Sequence, residues 1–212
     1  MEKLIVPDPL KKEFQTVEAL WNLKNTTTPF LDATILSWVK SEKQLRRLFS
    51  FLVYQHPCAE HLDCKDIDFV IAGNPCLYPN DLIAAIEQMV GKKISEIVGP
   101  ECASCRVDIA SINDHRNKFM HGQLTGDSLS AEDLQGYIRA LVKWISLLAI
   151  GADKEIGYNG LERKTFKLAR ERPRLERHSL HFKSGGSMLQ WIDCINRGER
   201  YKKKKYGSAT LC

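Results

Sequence analysis

Apolar residues recur along this chain mostly three and four positions apart, the spacing that places them on one face of a helix. Phe14, Val17, Leu20 and Trp21 form such a face and predict a first helix over residues 10–24. Thr28-Pro29 pairs an N-cap with a proline at the first helical position. It opens a second helix to about Lys40, with Leu31, Ile35 and either Trp38 or Val39 inward. Ser41-x-x-Gln44 reads as a capping box that opens a third. Its Leu45, Leu48, Phe49 and Leu52 face a core, Arg46 and Arg47 face out, and His56-Pro57 ends it. Residues 56–79 carry no clear period: Phe69-Val70-Ile71 fits a short strand or a helical turn, and Gly73-Asn74-Pro75 is a turn. Asn80 caps a helix through Val90 with Gly91 as its stop, a short segment follows at about Ile94–Val98, and Gly99-Pro100 leads into a central helix over about 101–121. Ser130-x-x-Asp133 starts a last long helix with a buried stripe of Leu134, Tyr137, Ile138, Leu141, Ile145 and Leu148, ending at Gly151 or Gly157. Helices with short connections and no sheet pattern predict an all-α fold, an antiparallel helical bundle.

The pattern changes beyond Gly160. A basic stretch runs to His178, a strand is predicted at Leu180–Lys183, and Ser187-x-x-Gln190 reads as a capping box for a short helix at about 188–196. The chain closes on Lys202, Lys203, Lys204 and Lys205 between Tyr201 and Tyr206. Residues 160–212 hold 14 of the 31 Lys/Arg but only 5 of the 26 Asp/Glu, which leaves the rest mildly acidic. Two parts are therefore expected: a bundle over 1–157 and a basic C-terminal extension over 158–212. Such an extension suits a polyanion, and it equally suits a solvated tail.

Seven cysteines without a regular framework point to a reducing compartment. No run approaches the roughly 18 apolar residues of a membrane span, and the N-terminal apolar run is too short for a secretory signal. A cytoplasmic protein without a membrane partner is the expectation.

The candidate chemistry sits at the end of the central helix, in Arg116-Asn117-Lys118-Phe119-Met120-His121-Gly122. An arginine four to six residues before a histidine also occurs at Arg172/His178 and Arg174/His181, but those pairs flank Pro173 in a charged stretch without helical period. Arg116 instead stands in an apolar seam with Cys102, Cys105, Ile109, Ile112 and Phe119. A guanidinium in such a stripe is costly unless it is paired or lines a polar site. Asn113, Asn117 and His121 form a polar stripe beside it. Arg116 and His121 lie about 140° apart on an ideal helix, so His121 is expected to reach back from the last turn. Arginine suits a phosphate, because its fork donates to two oxygens. Histidine suits proton transfer near neutrality.

This motif resembles the R-x4-6-H signature of the HEPN family, small all-helical domains that often act as metal-independent ribonucleases. The resemblance covers about residues 1–157 and not the basic extension. It implies a homodimer that pairs its motif helices, with Arg116, Asn117 and His121 contributed twice to a composite active site. The seam around Arg116 would then face the partner helix. The implied reaction is attack by the ribose 2′-hydroxyl, leaving a 2′,3′-cyclic phosphate and a 5′-hydroxyl, with no metal and no cofactor. The implied biology is a toxin or phage-defence effector, held by an antitoxin or other regulatory partner.

Lys118 and Lys202–Lys205 are the expected RNA-backbone contacts. Two clusters have zinc-like spacing: Cys102-x-x-Cys105, and His56, Cys58, His61 and Cys64 with Cys76. Cys102 and Cys105 fall on the apolar seam, where cysteine is an ordinary small core residue, so no metal site is expected. Arg116 would serve a purely structural role if it salt-bridged Asp114 or a neighbouring helix. The alternative function is a non-catalytic helical dimer that binds nucleic acid or a protein partner.

Overall fold

The computed structural model describes residues 3–23, 28–74, 77–121, 129–161 and 179–195. Among them the secondary structure is helical, without strands. The α-helices are α1 (Lys11–Trp21), α2 (Thr28–Gln55), α3 (Cys64–Gly73), α4 (Pro79–Val90), α5 (Ile94–Val98), α6 (Cys102–Met120), α7 (Ala131–Ile156) and α8 (Gly185–Cys194). No helix among the described residues is long and apolar enough to cross a membrane.

The chain forms two compact units, neither of them contiguous. The first comprises residues 1–44 and 93–162, the second residues 45–92 and 163–212. Residues 45–92, expected in one bundle over 1–157, group with the C-terminal segment, and α2 contributes to both units.

In the first unit, α7 packs against α5 and α6. The buried set includes Phe14, Val17 and Trp21 of α1, and Ile138, Leu141, Ile145 and Leu148 of α7. Trp21 meets Phe30 edge to face, with centroids 5.6 Å apart. Trp38 is buried and Val39 exposed, which settles the alternative left open by spacing. Ser130 caps α7: its Oγ accepts from the Asp133 N–H at 3.1 Å, and Asp133 Oδ2 accepts from the Ser130 N–H at 2.9 Å. Gly157 ends the helix in the left-handed conformation, at φ 73°. Towards the C-terminal end of α7, Gly151 lies so close to α5 that a Cβ there would sit 1.8 Å from the Ile97 carbonyl oxygen.

Three expected starts differ: Asn80 lies inside α4, whose N-cap is Tyr78. Ser41-x-x-Gln44 opens no helix, because α2 runs unbroken through it. Both residues are buried. The Gln44 side-chain amide donates to the Ile145 and Asn159 carbonyls, at 3.1 and 3.0 Å, so its polarity serves tertiary packing instead of a cap. Ser187-x-x-Gln190 is likewise displaced. The cap of α8 is Ser184, whose Oγ accepts from the Ser187 N–H at 3.2 Å. The helix begins at Gly185, ahead of the expected 188.

In the second unit α8 packs against α3. Phe69–Ile71 is helical, within α3. Leu180–Lys183 forms no strand. Scattered hydrogen bonds replace a ladder: Ser179 N–H donates to the Met89 carbonyl at 3.1 Å, His56 Nε2 faces the Leu180 carbonyl at 3.2 Å, and Cys58 Sγ donates to the Phe182 carbonyl at 3.5 Å. Asn74, buried, sends its amide to the carbonyls at the end of α8, those of Ile192 (2.8 Å), Ile195 (3.3 Å) and Asp193 (3.4 Å).

Candidate active site

All three motif residues stand on or just beyond α6. Cys102, Cys105 and Ile112 of its apolar seam are buried, and Ile109, Arg116 and Phe119 are partly so. The seam is filled within the chain: Ile112 joins Trp38 of α2 and Leu141 of α7 in one cluster, flanked by Ile109, Tyr137 and Ala140. The expectation that this seam faces a partner helix is therefore corrected. The hydrophobic effect acts on the same residues either way, and α2 and α7 cover them first. Apolar side chains left uncovered on α6 are Val107 and Met120, 72% and 57% exposed.

Arg116, between Ile112 and Phe119 in the seam, is received by two residues of α2. Its Nη2 lies 3.5 Å from Glu42 Oε1, and its guanidinium carbon lies 5.9 Å from the centre of the Trp38 ring. Trp38 Nε1 donates to the same Glu42 oxygen at 2.8 Å, fixing the carboxylate. Arg116 Nη1 donates to Asn117 Oδ1 at 2.8 Å. Both charged side chains keep about a quarter of their surface in solvent, 26% for Arg116 and 24% for Glu42. The carboxylate thus takes one guanidinium nitrogen at a distance well beyond the 2.7–2.9 Å of a strong charge-assisted bond.

His121 is exposed and caps the helix at φ −99°, ψ 7°, with its backbone N–H on the Asn117 carbonyl at 3.2 Å. No side-chain hydrogen bond joins it to Arg116 or Asn117 among the described residues. One chain therefore brings together Arg116, Asn117, Glu42 and Trp38, and it leaves His121 on another flank of the helix. Lys118 is partly exposed in the last turn. Gly122, Lys202, Lys203, Lys204 and Lys205 lie outside the described residues, as do Arg172, Arg174 and His178 of the rival pairs.

A second cluster adjoins the motif. His115 Nδ1 lies 2.7 Å from the Tyr137 hydroxyl, which lies 3.4 Å from Ser111 Oγ. The His115 ring stacks on Tyr137 (5.6 Å, 23°) and on Phe119 (6.5 Å, 29°). Asp133 is near enough for His115 to help hold its carboxyl below the usual value, after the larger effect of hydrogen bonds from Ser130. Sequence patterning missed His115, Glu42 and the role of Tyr137. Ser111, His115 and Phe119 at steps of four were a visible signal. Glu42 carried none, since its partner is far away in the chain.

An open cleft of about 460 Å³ in the first unit is walled by Lys3, Ile5 and Pro7 on one side and Arg139, Val142 and Lys143 on the other. Among the described residues, no three His, Cys, Asp or Glu side chains come together to hold a metal ion. Burial pushes the Cys105 thiol up from its ordinary value, as expected of a core cysteine. Cys76 lies outside the described residues.

The chain matches no protein-family model, no curated protein and no solved structure.

Proposed function

We propose that this protein is a metal-independent endoribonuclease of the HEPN type, in which Arg116 grips the scissile phosphate and His121 moves protons for attack by the 2′-hydroxyl. The observation that carries the reading is the state of Arg116. It is held at a half-open surface beside Asn117, with one long contact to a carboxylate, so a phosphate can take the fork that Glu42 leaves incompletely engaged. The divergence of Arg116 and His121 on one helix favours a composite site in a homodimer, with each copy supplying what the other lacks. Lys118 and the lysines at 202–205 would add backbone contacts to RNA. A cytoplasmic toxin or phage-defence role, restrained by an antitoxin or regulatory partner, completes the proposal.

A second reading has its own support. The Trp38–Glu42 clamp is what a structural arginine would need, and it favours a non-catalytic helical dimer that binds nucleic acid or a protein. RNA cleavage in EDTA separates the two. Wild-type protein is expected to leave 2′,3′-cyclic phosphate ends, and His121→Ala, an exposed change that keeps the circular dichroism spectrum, is expected to abolish them. Arg116→Lys keeps the charge but loses the fork and should cut activity sharply. Ends bearing 5′-phosphates, or full activity in His121→Ala, would defeat the ribonuclease reading.

A further inference from the structure

Three aromatic rings stand in series beside Arg116. Tyr137 has one flank packed against Trp38, Ile112 and Leu141 and so is fixed by the core. His115 stacks on it and is held in plane by the 2.7 Å bond from its Nδ1 to the Tyr137 hydroxyl. Phe119 stacks on His115 in turn, at 6.5 Å and 29°. Both separations lie in the range for offset stacking. Tyr137 is packed on the core at one end of the series, and Phe119, partly exposed, stands at the other.

Phe119 also lies three residues after Arg116 and four after His115, and it neighbours both on the helix surface. A planar group laid on the outer face of Phe119 would lie next to the guanidinium. A flat apolar face with a phosphate-binding fork beside it has the chemistry to hold one nucleotide unit of a single strand, the base by stacking and the phosphate by charge-assisted hydrogen bonds. We infer that Phe119, braced by His115 and Tyr137, is the stacking platform for the nucleobase adjoining the phosphate held by Arg116. The inference rests on the ribonuclease reading for its substrate class. It adds a subsite that reads a base face in single-stranded RNA, and it gives a reason for the bracing of His115 on the flank of the motif.

The test is binding, scored apart from cleavage. A short single-stranded RNA with 2′-O-methyl groups throughout lacks the attacking hydroxyl, so its affinity is read by fluorescence anisotropy without turnover. Phe119→Leu keeps apolar bulk and removes the π face. It is expected to weaken binding about fivefold to 150-fold, the range for losing one stacked base. Phe119→Trp restores a ring and is expected to keep wild-type affinity, with added tryptophan emission that RNA quenches. Affinity of Phe119→Leu within about twofold of wild type, well below that stacking range, would overturn the subsite. So would an unquenched Phe119→Trp, or a wild-type protein that does not bind this RNA. If unmodified RNA is never cleaved but the binding pattern holds, the ribonuclease reading falls and the base platform stands. If cleavage occurs and Phe119→Leu binds normally, the platform alone falls.

Discussion

Gly151→Ala sets two effects of opposite sign against each other. Gly151 lies within α7, where alanine is the better helix former by about 0.8–1 kcal/mol, so propensity alone predicts a more stable protein. Its surroundings predict the reverse. The new Cβ would meet the Ile97 carbonyl oxygen at 1.8 Å and the carbonyl carbon at 2.7 Å, where a tolerable contact begins at 3.0 Å. The clashing atoms are backbone, so no side chain can rotate away, and α5 must retreat from α7 by more than an ångström. Ile94, Ile97 and Val98 are all buried, and the retreat would thin their contacts. A radial gap of about 0.5–1 Å forfeits a quarter to a half of a contact's attraction. Overpacking of this kind costs about 1–3 kcal/mol and more when backbone must move. With the cost at the upper end of that range because backbone must move, and the propensity gain set against it, a net loss of about 2 kcal/mol is expected, or roughly 4–8 °C in melting temperature for a chain of this size. Gly136→Ala is the control: it lies in the same helix, and nothing lies within 4 Å of its added Cβ. It should gain about 0.5–1 kcal/mol. Thermal melts followed by circular dichroism read both, and Gly151→Ala melting at or above wild type would refute the close approach.

Three further outcomes follow from the same geometry. Burial pushes the His56 imidazole below its ordinary value near 6.5, and its two nitrogens are engaged by the Leu180 carbonyl and the Cys58 N–H. The unfolded chain therefore takes up this proton first, so the stability is present above about pH 6.5 and is lost as pH falls below it; melts should decline between about pH 7.5 and 5.5, and His56→Gln should flatten that decline. Asn74→Ala leaves the carbonyls at the end of α8 without their buried donor and should cost about 1–3 kcal/mol in a urea titration, with an unchanged midpoint arguing against the pin. Glu42→Gln removes the charge that competes for Arg116, so steady-state RNA cleavage should show a severalfold lower KM; an unchanged KM would mean that Arg116 does not meet phosphate.

Element boundaries that rest on local chemistry were legible in the sequence. Ser130 with Asp133, Gly91 and Gly157 each begin or end a helix where the chain itself carries the signal. The all-helical class followed from apolar spacing in the same way. What failed was the reading of polar residues whose partners are remote. Ser41 and Gln44 resemble a helix start, yet Gln44 binds backbone about a hundred residues later, and α2 continues past them. The candidate site divides similarly. Arg116 in its apolar seam was visible from spacing alone, whereas the Glu42 carboxylate and Trp38 ring that receive it come from a helix some 75 residues earlier, which no local pattern reports. The seam itself was legible as apolar but not as to what covers it, because periodicity shows that a face is buried and not against which neighbour.

The interleaving of the two units bears on how the chain acquires its structure. Each unit joins segments far apart in sequence: Gln44 reaches Ile145 across 101 residues, and Asn74 reaches Ile192 across 118. Helical proteins are usually quick folders because their contacts are local. Here the helices can form early, but each core waits on closure of a long loop, whose entropy must be met before any distant contact repays it. During synthesis the first core cannot close until α7 has left the ribosome, and α3 must wait longer still for α8. Through that interval the apolar faces of α2 stand uncovered, and the growing chain is at its most prone to aggregate.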